Sequence, residues 1–469
     1  MQVRIPRFPA AGGRGRQSES WWGGRMTGRE QWGSRFGFIM AAAGSAVGLG
    51  NIWRFPYTTG ENGGGAFLLI YLAIILGFGL AVVIAEMLIG RAAQKNPVGA
   101  FRELGGKGWS AVGFMGVLTG FIITSFYVVV AGWCLAYIGF MASGKLATTD
   151  AATLQGTFEG FISASGAPLV YAAVFMALVV LVLSGGIGKG IERANKVLMP
   201  LLFVLLILLV LRAVTLPGAE AGLRFYLIPD WSQVNLGTFR EAVAQAFFSI
   251  SLGMGTMITY GSYLSLKENV PSSALTVVLL DSAVAILAGL MIIPAVFAAG
   301  LNPSAGPGLT FITLPAVFAA MPAGAFFGIV FFLLLSIAAL TSAVSILEPM
   351  IAYFVDEHRI NRRKVVFGVC AVCFALGVPA SLSLGMMAGF KIFGLSWFDL
   401  MDTLANNFML PLGGFFTAIF AGWVWGPKAI LAMSNNGTLS QSWAPVWLFV
   451  VRFVAPISIG WILATNLIG

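Results

Sequence analysis

Of 469 residues, 58% are hydrophobic and only 10% charged, and the formal net charge is +9. The mean hydropathy is +0.90. A soluble globular domain carries roughly 25% charged residues, so an ordinary soluble enzyme, a disordered tail protein and a nucleic-acid binder are all excluded. The 27 basic residues are too few to pave a groove for DNA, and three cysteines form no disulfide framework. The composition implies an all-α integral membrane protein with lipid as its surroundings.

In chain order, residues 1–28 form a basic tail holding Arg4, Arg7, Arg14, Arg16 and Arg25, with no apolar core of signal-peptide length. Met26 precedes Thr-Gly-Arg-Glu-Gln-Trp, so residues 1–25 read equally as a flexible basic arm or as an upstream extension from a misplaced start. A crossing needs about 20 apolar residues at 1.5 Å each. Eleven runs meet that need: 35–60, 65–91, 110–143, 167–185, 195–214, 239–265, 272–300, 323–355, 364–384, 398–426 and 442–467. Residues 305–320, rich in Gly, Pro and Phe, are too short and broken to span, and are expected to form a re-entrant or surface helix. Runs this continuous do not fit a β-barrel, whose strands alternate over short segments.

Lys and Arg in the connections set the orientation. Twenty lie in the N-terminal tail and alternate connections, among them Arg91, Lys189, Lys267, Arg359 and Lys428. Five lie on the other side: Lys145, Arg212, Arg224, Arg240 and Lys391. The excess places the N-terminus in the cytoplasm of a cell (inner) membrane and, with eleven crossings, the C-terminus outside.

Two spans are interrupted. The first contains Gly44-Ser-Ala-Val-Gly48-Leu-Gly50-Asn51-Ile-Trp-Arg54-Phe-Pro56, and the sixth contains Ser249-Ile-Ser251-Leu-Gly253-Met-Gly255-Thr256. Small residues also serve close helix packing, which remains the alternative for either run alone. The two runs lie five spans apart, at matching positions of two halves that an odd helix number inserts with opposite orientation. Paired interrupted helices of that kind point to a transporter site. Backbone freed at the midplane is tolerable only beside a cavity or a ligand. Helix N-termini attract a carboxylate and carbonyl ends a cation, so the expected ligand is a small zwitterion with a cation beside it.

In the eighth span Ala338, Thr341 and Ser342 share one helix face. Their carbonyl and hydroxyls are hard oxygen donors suited to a monovalent cation, although hydroxyls in membrane helices also bond back to their own helix. Asp281 sits in the seventh span, where a carboxylate costs about 2.5–3.5 kcal/mol. It needs a partner there, either a cation or, once protonated, a neighbouring acceptor.

Over about 30–467 the sequence resembles the neurotransmitter:sodium symporter family, in particular its bacterial amino-acid transporters. The resemblance is carried by Arg29-Glu-Gln-Trp32, Gly44 to Pro56, Glu61-Asn-Gly-Gly-Gly-Ala-Phe67, Ser249 to Tyr260 and Ala338-Ala-Leu-Thr-Ser342. It implies a leucine-transporter-type fold, a 5+5 inverted repeat plus one extra helix. Residues 29–214 would form the first repeat, 215–238 an extracellular connection, 239–426 the second repeat, and 427–469 helix 11 and the C-terminus.

The same resemblance implies two sodium ions and no organic cofactor. One sodium would take the Gly44 and Val47 carbonyls with Ala338, Thr341 and Ser342. The other would lie among Ala46, Asn51, Ser249 and Asp281, touching the substrate carboxylate. The family pattern has Asn where Asp281 stands, and Ala285 replaces the nearby acid or chloride-ligating serine, so Asp281 is expected to make chloride dispensable.

Tyr127 matches the family tyrosine that meets the substrate carboxylate, although without the family it reads as an interface aromatic. Phe248 is expected as a hydrophobic lid. The substrate amino group would meet backbone of the breaks around Ala46, Gly48, Gly50, Phe248, Ser251 and Gly253. Ile123, Met254, Ser342 and Ile346 would line the side-chain end, an apolar set suited to a neutral hydrophobic amino acid. Met254 stands where some relatives carry Phe and adapts readily to larger or aromatic side chains. Arg54 and Asp402, with Gln245 beside them, are the expected outer gate. Arg29 and Asp356, with Trp32, are the expected inner gate. Both pairs also read as snorkelling interfacial charges. Glu86 is expected to accept hydrogen bonds from unwound backbone, as structural support.

Cys370 and Cys373 lie inside an apolar span without a second pair, so neither a transition-metal site nor a redox role is expected. No phosphate-binding loop is present to use ATP. The expected activity is sodium-coupled symport by alternating access. Its rivals are a proton-coupled permease of similar fold and a solute sensor that keeps the pocket. A membrane enzyme lacks any nucleophile–base constellation.

Overall fold

In the computed structural model the described residues are 30–301, 308–435, 437 and 442–468. The chain divides into a unit of residues 1–30 and a second of residues 31–469, and the fold described below is that of the second.

Among the described residues, nine helices are long and apolar enough to cross a membrane, and a bent pair makes a tenth. That pair is α1 (Arg35–Ala46) and α2 (Gly50–Glu61), which meet at 52°. Ser34 caps α1, its hydroxyl accepting from the Gly37 N–H at 3.0 Å. The helix ends where Val47 turns extended, with φ −73° and ψ 101°. The long helices that follow are α3 (Gly65–Ala93), α5 (Lys107–Ala142), α7 (Ala167–Ser184), α8 (Ile187–Val214), α12 (Val270–Ala298), α14 (Gly324–His358), α15 (Arg362–Leu382), α16 (Trp397–Trp425) and α18 (Ala444–Leu467). Shorter helices connect them: α4 (Pro97–Gly105), α6 (Ala151–Ile162), α9 (Ala219–Leu227) and α17 (Pro427–Met433).

The expected sixth span is two pieces, α10 (Leu236–Ser249) and α11 (Thr256–Ser262). Neither piece is long enough to cross alone, so the count stops short of the eleven read from hydropathy. The interruption follows from the local residues: Ser251, Gly253 and Gly255 have φ of 53°, 82° and 76°, and such values end a right-handed helix. The fifth span starts eight residues earlier than its apolar run. A wide-turn segment, Ile187–Glu192, leads directly into Arg193–Val214. The segment expected as a short non-spanning helix at 305–320 contains α13 (Leu309–Ala320); its first residues, 305–307, lie outside the described ones.

The core sits around α14, the most enclosed of the long helices, with α5 against it. α7, α8 and α18 lie at the periphery and turn Leu181, Val204, Leu211 and Ile457 outward. A surface of exposed aliphatic side chains suits hydrocarbon and would be costly in water. The two breaks lie inside, at the junction of α1, α10, α12 and α14.

Candidate functional site

At the heart of this junction four spans meet through polar side chains. Asn51 of α2 donates through Nδ2 to Asp281 Oδ1 at 2.7 Å and to Ser249 Oγ at 2.9 Å. Ser249 in turn donates to Asp281 Oδ2 at 2.8 Å, and Tyr71 of α3 donates to Ser249 Oγ at 3.1 Å. All four side chains are buried, none more than 1% exposed. Both carboxylate oxygens of Asp281 therefore face donors, and neither needs a proton of its own to be satisfied. Ala285, one turn on, is buried and apolar. Sequence reasoning found Asn51, Ser249 and Asp281 but missed Tyr71, whose hydroxyl completes the knot.

A second group faces the end of α1. Thr341 Oγ1 lies within donating distance of Ala338 O (3.1 Å) and Ile337 O (3.2 Å), the bond back to its own helix that the sequence left open. A side chain on Gly44 would sit 3.2 Å from Thr341 Cβ, and one on Gly48 would sit 3.1 Å from Ser342 Oγ. Glycine at these two positions lets the broken helix approach α14. Because Val47 is extended, the last carbonyls of α1, around Ala46, have no following helical turn to receive. Ser251 crosses between the breaks, donating through Oγ to Ser45 O at 3.2 Å. Glu86 Oε1 accepts from the Gly253 N–H at 2.8 Å.

Beside these groups lies a cavity of about 700 Å³. Of the expected substrate contacts, Ile123, Tyr127 and Phe248 line it, together with Arg54 and Asp402. The others do not reach its wall. The Phe248 ring covers Gly50, where a Cβ would meet the ring at 2.6 Å. Gly253 packs on the backbone of Leu410 and Gly414, Met254 lies behind Gly116, and the Ile346 carbonyl abuts Gly120. Gly48 and Ser342 lie beside the Tyr127 hydroxyl, and Ser251 is bonded to the Ser45 carbonyl. In their place the cavity shows aromatic residues of other elements, Phe126, Trp133, Phe311 and Phe398. The Tyr127 hydroxyl is buried without a well-formed hydrogen bond, although Ser342 and the Leu49 backbone lie near it.

The outer charges pair differently from the sequence expectation. Arg54 Nη2 faces Glu241 Oε2 at 3.8 Å, and its guanidinium stands 5.3 Å from the Phe248 ring centroid. Asp402 accepts from Asn406 Nδ2 at 2.6 Å. Glu241, Gln245 and Phe248 fall at i, i+4 and i+7 on one face of α10, a spacing that could have pointed to Glu241. Gln245 donates through Nε2 to Gly50 O at 3.0 Å.

Arg29 lies outside the described residues. Asp356 accepts from the Asn96 N–H at 3.1 Å and from Asn96 Nδ2 at 3.2 Å. Trp32 donates to Tyr260 O at 3.0 Å and packs edge-on against Tyr260 and Tyr263.

Two charges that the sequence left unexplained have clear partners. Glu348 holds Arg362 through two bonds, at 2.8 and 2.6 Å, and accepts from the Tyr263 hydroxyl. Arg452 donates to Gly422 O and lies over the Trp423 ring. Cys134, Cys370 and Cys373 are buried free thiols.

A sequence model of the sodium:neurotransmitter symporter family matches residues 29–154 and 151–469. The chain belongs to that family. An uncharacterised sodium-dependent transporter of Bacillus subtilis (strain 168), YhdH, is 40% identical, over 94% of this chain and 98% of its own length. An uncharacterised sodium-dependent transporter of Haemophilus influenzae is 38% identical, with the same two coverages. Among solved structures, that of MhsT in complex with L-phenylalanine matches with a TM-score of 0.86 and 48% identity, over 94% of this chain and all of that one. The protein is a membrane transporter of a sodium-dependent family and is not an enzyme.

Proposed function

We propose that the protein imports a neutral, hydrophobic amino acid, aromatic ones included, by sodium-coupled and chloride-independent symport. The observation that carries this reading is the buried knot of Asn51, Ser249 and Asp281. It places a carboxylate and an amide from different spans at the two helix breaks, next to a cavity rich in aromatic rings. MhsT, the solved relative above, carries L-phenylalanine, which agrees with that lining.

In this reading two sodium ions travel with the substrate. One is held by the carbonyls of Gly44, Val47 and Ala338 with the hydroxyls of Thr341 and Ser342. The other lies among Ala46, Asn51, Ser249 and Asp281 and touches the substrate carboxylate. Asp281 supplies the negative charge that a chloride would otherwise bring. The Tyr127 hydroxyl, buried and short of a partner, donates to the substrate carboxylate. Sodium and substrate raise each other's affinity through that shared group, and the coupling is reciprocal by linkage.

Phe248 then moves off Gly50 and over the ligand, and Ser251, Gly253, Met254, Ser342 and Ile346 come within reach of the substrate. Arg54 exchanges Glu241 for Asp402 as the outer side closes. At the inner side Asp356 works with Arg29 and Trp32. The helices of 29–214 and those of 239–426 act as inverted repeats, and α10 with α11 makes the eleventh crossing, which puts the C-terminus outside while the Lys and Arg excess keeps the N-terminus cytoplasmic. Each sodium charge crossing 100 mV contributes about 2.3 kcal/mol.

Reconstitution in lipid vesicles tests this directly, with labelled amino acids offered with and without a sodium gradient. Accumulation of phenylalanine, tryptophan, leucine or methionine only under inward sodium is expected. Failure of all twenty amino acids to accumulate with sodium overturns symport. Uptake that ignores sodium and follows a pH gradient assigns proton coupling through Asp281. Binding without concentrative uptake makes the protein a sensor.

A further inference from the structure

α8 runs alongside α1 and touches it at two levels. Near the start of α1, Glu192 accepts from the Gly33 N–H at 2.7 Å and from Ser34 Oγ at 3.0 Å. Near its end, Asn195 and Met199 face Gly44: a Cβ there would lie 2.2 Å from Asn195 Oδ1, 3.2 Å from Met199 Sδ and 3.2 Å from Thr341 Cβ. Three helices thus pack together at Gly44, and the Asn195 amide oxygen fills the space that its missing side chain leaves.

Asn195 is 1% exposed. Its Nδ2 donates to Ile191 O, one turn back, at 2.9 Å. That bond fixes the amide, because the nitrogen end is committed to its own helix and the oxygen end must face α1. The oxygen has no hydrogen-bond partner. A buried, unpaired amide acceptor is costly unless something completes it. With it at Gly44 stand the Met199 thioether and Thr341, whose hydroxyl is already committed to Ala338 or Ile337 as a donor. Neither supplies a free proton. What such an oxygen can receive is a cation, and a neutral amide oxygen is a hard ligand of the kind sodium takes.

We propose that Asn195 Oδ1 is a further sodium ligand, one that receives the ion of the Gly44–Thr341 site on its way out along α1 toward the Glu192 end. This rests on the assignment of Gly44, Val47, Ala338, Thr341 and Ser342 to sodium and adds a group from a third helix to it. The oxygen meets α1 at Gly44, whereas Ser342 meets it four residues on, at Gly48. An ion leaving the carbonyls of α1 in the direction of the α1 N-terminus passes the amide before it meets the charged pair of Glu192 and Lys196, at 2.6 Å. Asn195 thereby gives the departing ion an oxygen beside the Met199 thioether.

The test is the sodium dependence of labelled-phenylalanine binding to purified, full-length protein, read as half-saturating sodium and as phenylalanine affinity at saturating sodium. Asn195→Leu is expected to raise half-saturating sodium roughly fivefold to tenfold, the size of one lost polar contact, and to leave phenylalanine affinity at saturating sodium within about twofold. Asn195→Asp, which keeps the oxygen and adds charge, is expected to lower half-saturating sodium and to slow sodium release in stopped-flow dilution. Asn195→Gln is expected to recover part of the Leu defect. A purely packing role would move phenylalanine affinity or protein yield and leave half-saturating sodium alone. Thr341→Ala separates the two levels of the argument. If it shifts half-saturating sodium while Leu and Asp at position 195 do not, the role of Asn195 is overturned and the sodium site stands. If none of the three shifts it, the site itself is overturned and the Asn195 inference falls with it.

Discussion

Arg54 faces Glu241 across 3.8 Å, while Asp402, on the wall of the same cavity, takes its hydrogen bond from Asn406. Both partners of the Arg54–Glu241 pair are about a third exposed, and such a contact is worth about 0.2–1 kcal/mol. It is weak enough to exchange. If Asp402 is the partner of the closed state, Asp402→Asn speeds release of bound phenylalanine about threefold or more in sodium, whereas Glu241→Gln slows it or leaves it unchanged. Release of labelled substrate on dilution measures both. An unchanged rate in Asp402→Asn removes Asp402 from the gate.

The carboxylate of Asp281 has a buried amide and a buried hydroxyl as its donors, and the nearby position 285 is alanine. In the proposed symport a negative charge fixed there takes the place of an added anion. Uptake by the unmodified protein is therefore expected to be flat in a chloride titration at constant sodium. Asp281→Asn should raise half-saturating sodium by more than about tenfold, because removing one partner of a buried charge pair costs about 3–5 kcal/mol. Strong chloride activation of the unmodified protein, or unaltered sodium dependence in the variant, contradicts the assignment.

Tyr71 reaches the Asp281 carboxylate through Ser249. Its hydroxyl donates to Ser249 Oγ, which then has its own hydrogen directed to Asp281. Tyr71→Phe removes that donor and little else, so the loss should be near 1 kcal/mol. About a fivefold rise in half-saturating sodium is expected, with phenylalanine affinity at saturating sodium preserved. No rise at all would make the tyrosine a packing residue.

What could be read from the sequence was what is chemically out of place in hydrocarbon. Gly44, Asn51 and Pro56 in one run, Ser249 to Gly255 in another, and Asp281 alone in a third are anomalies against leucine and valine, and all lie at one junction. The partners of those anomalies were not legible. Tyr71 is an ordinary residue of an apolar helix, and it meets Ser249 from 178 positions away. Asn195 looks like any helical asparagine until Gly44 is placed beside it. The choice of Arg54 between Glu241 and Asp402 depends on a few ångströms of helix placement, which no periodicity encodes. Hydropathy overcounted single helices because α10 and α11 are apolar together yet joined by backbone with positive φ. The aromatic wall of the cavity draws on α5, α13 and α16, whose rings read simply as core.

Gly253 carries the most demanding backbone position at the breaks. Its φ is 82°, and a Cβ there would lie 2.3 Å from Leu410 O and 2.7 Å from Gly414 N. Both neighbours are backbone atoms of α16, so no side chain can swing aside to make room. The same residue donates its N–H to Glu86 Oε1, and any shift that relieves the clash would stretch that buried bond. Gly253→Ala should therefore destabilise the protein by more than about 2 kcal/mol, combining left-handed strain with overpacking. Gly255→Ala shares the positive φ, but its Cβ would meet Pro97 Cγ, a side-chain atom, at 2.7 Å, so its effect should be smaller. Glu86→Gln keeps an acceptor for the Gly253 N–H and should be milder still. Thermal unfolding of the detergent-solubilised protein, followed by size-exclusion chromatography, ranks the three, with Gly253→Ala lowest. Equal melting of Gly253→Ala and the unmodified protein would mean that the break between α10 and α11 can move away from α16 at little cost.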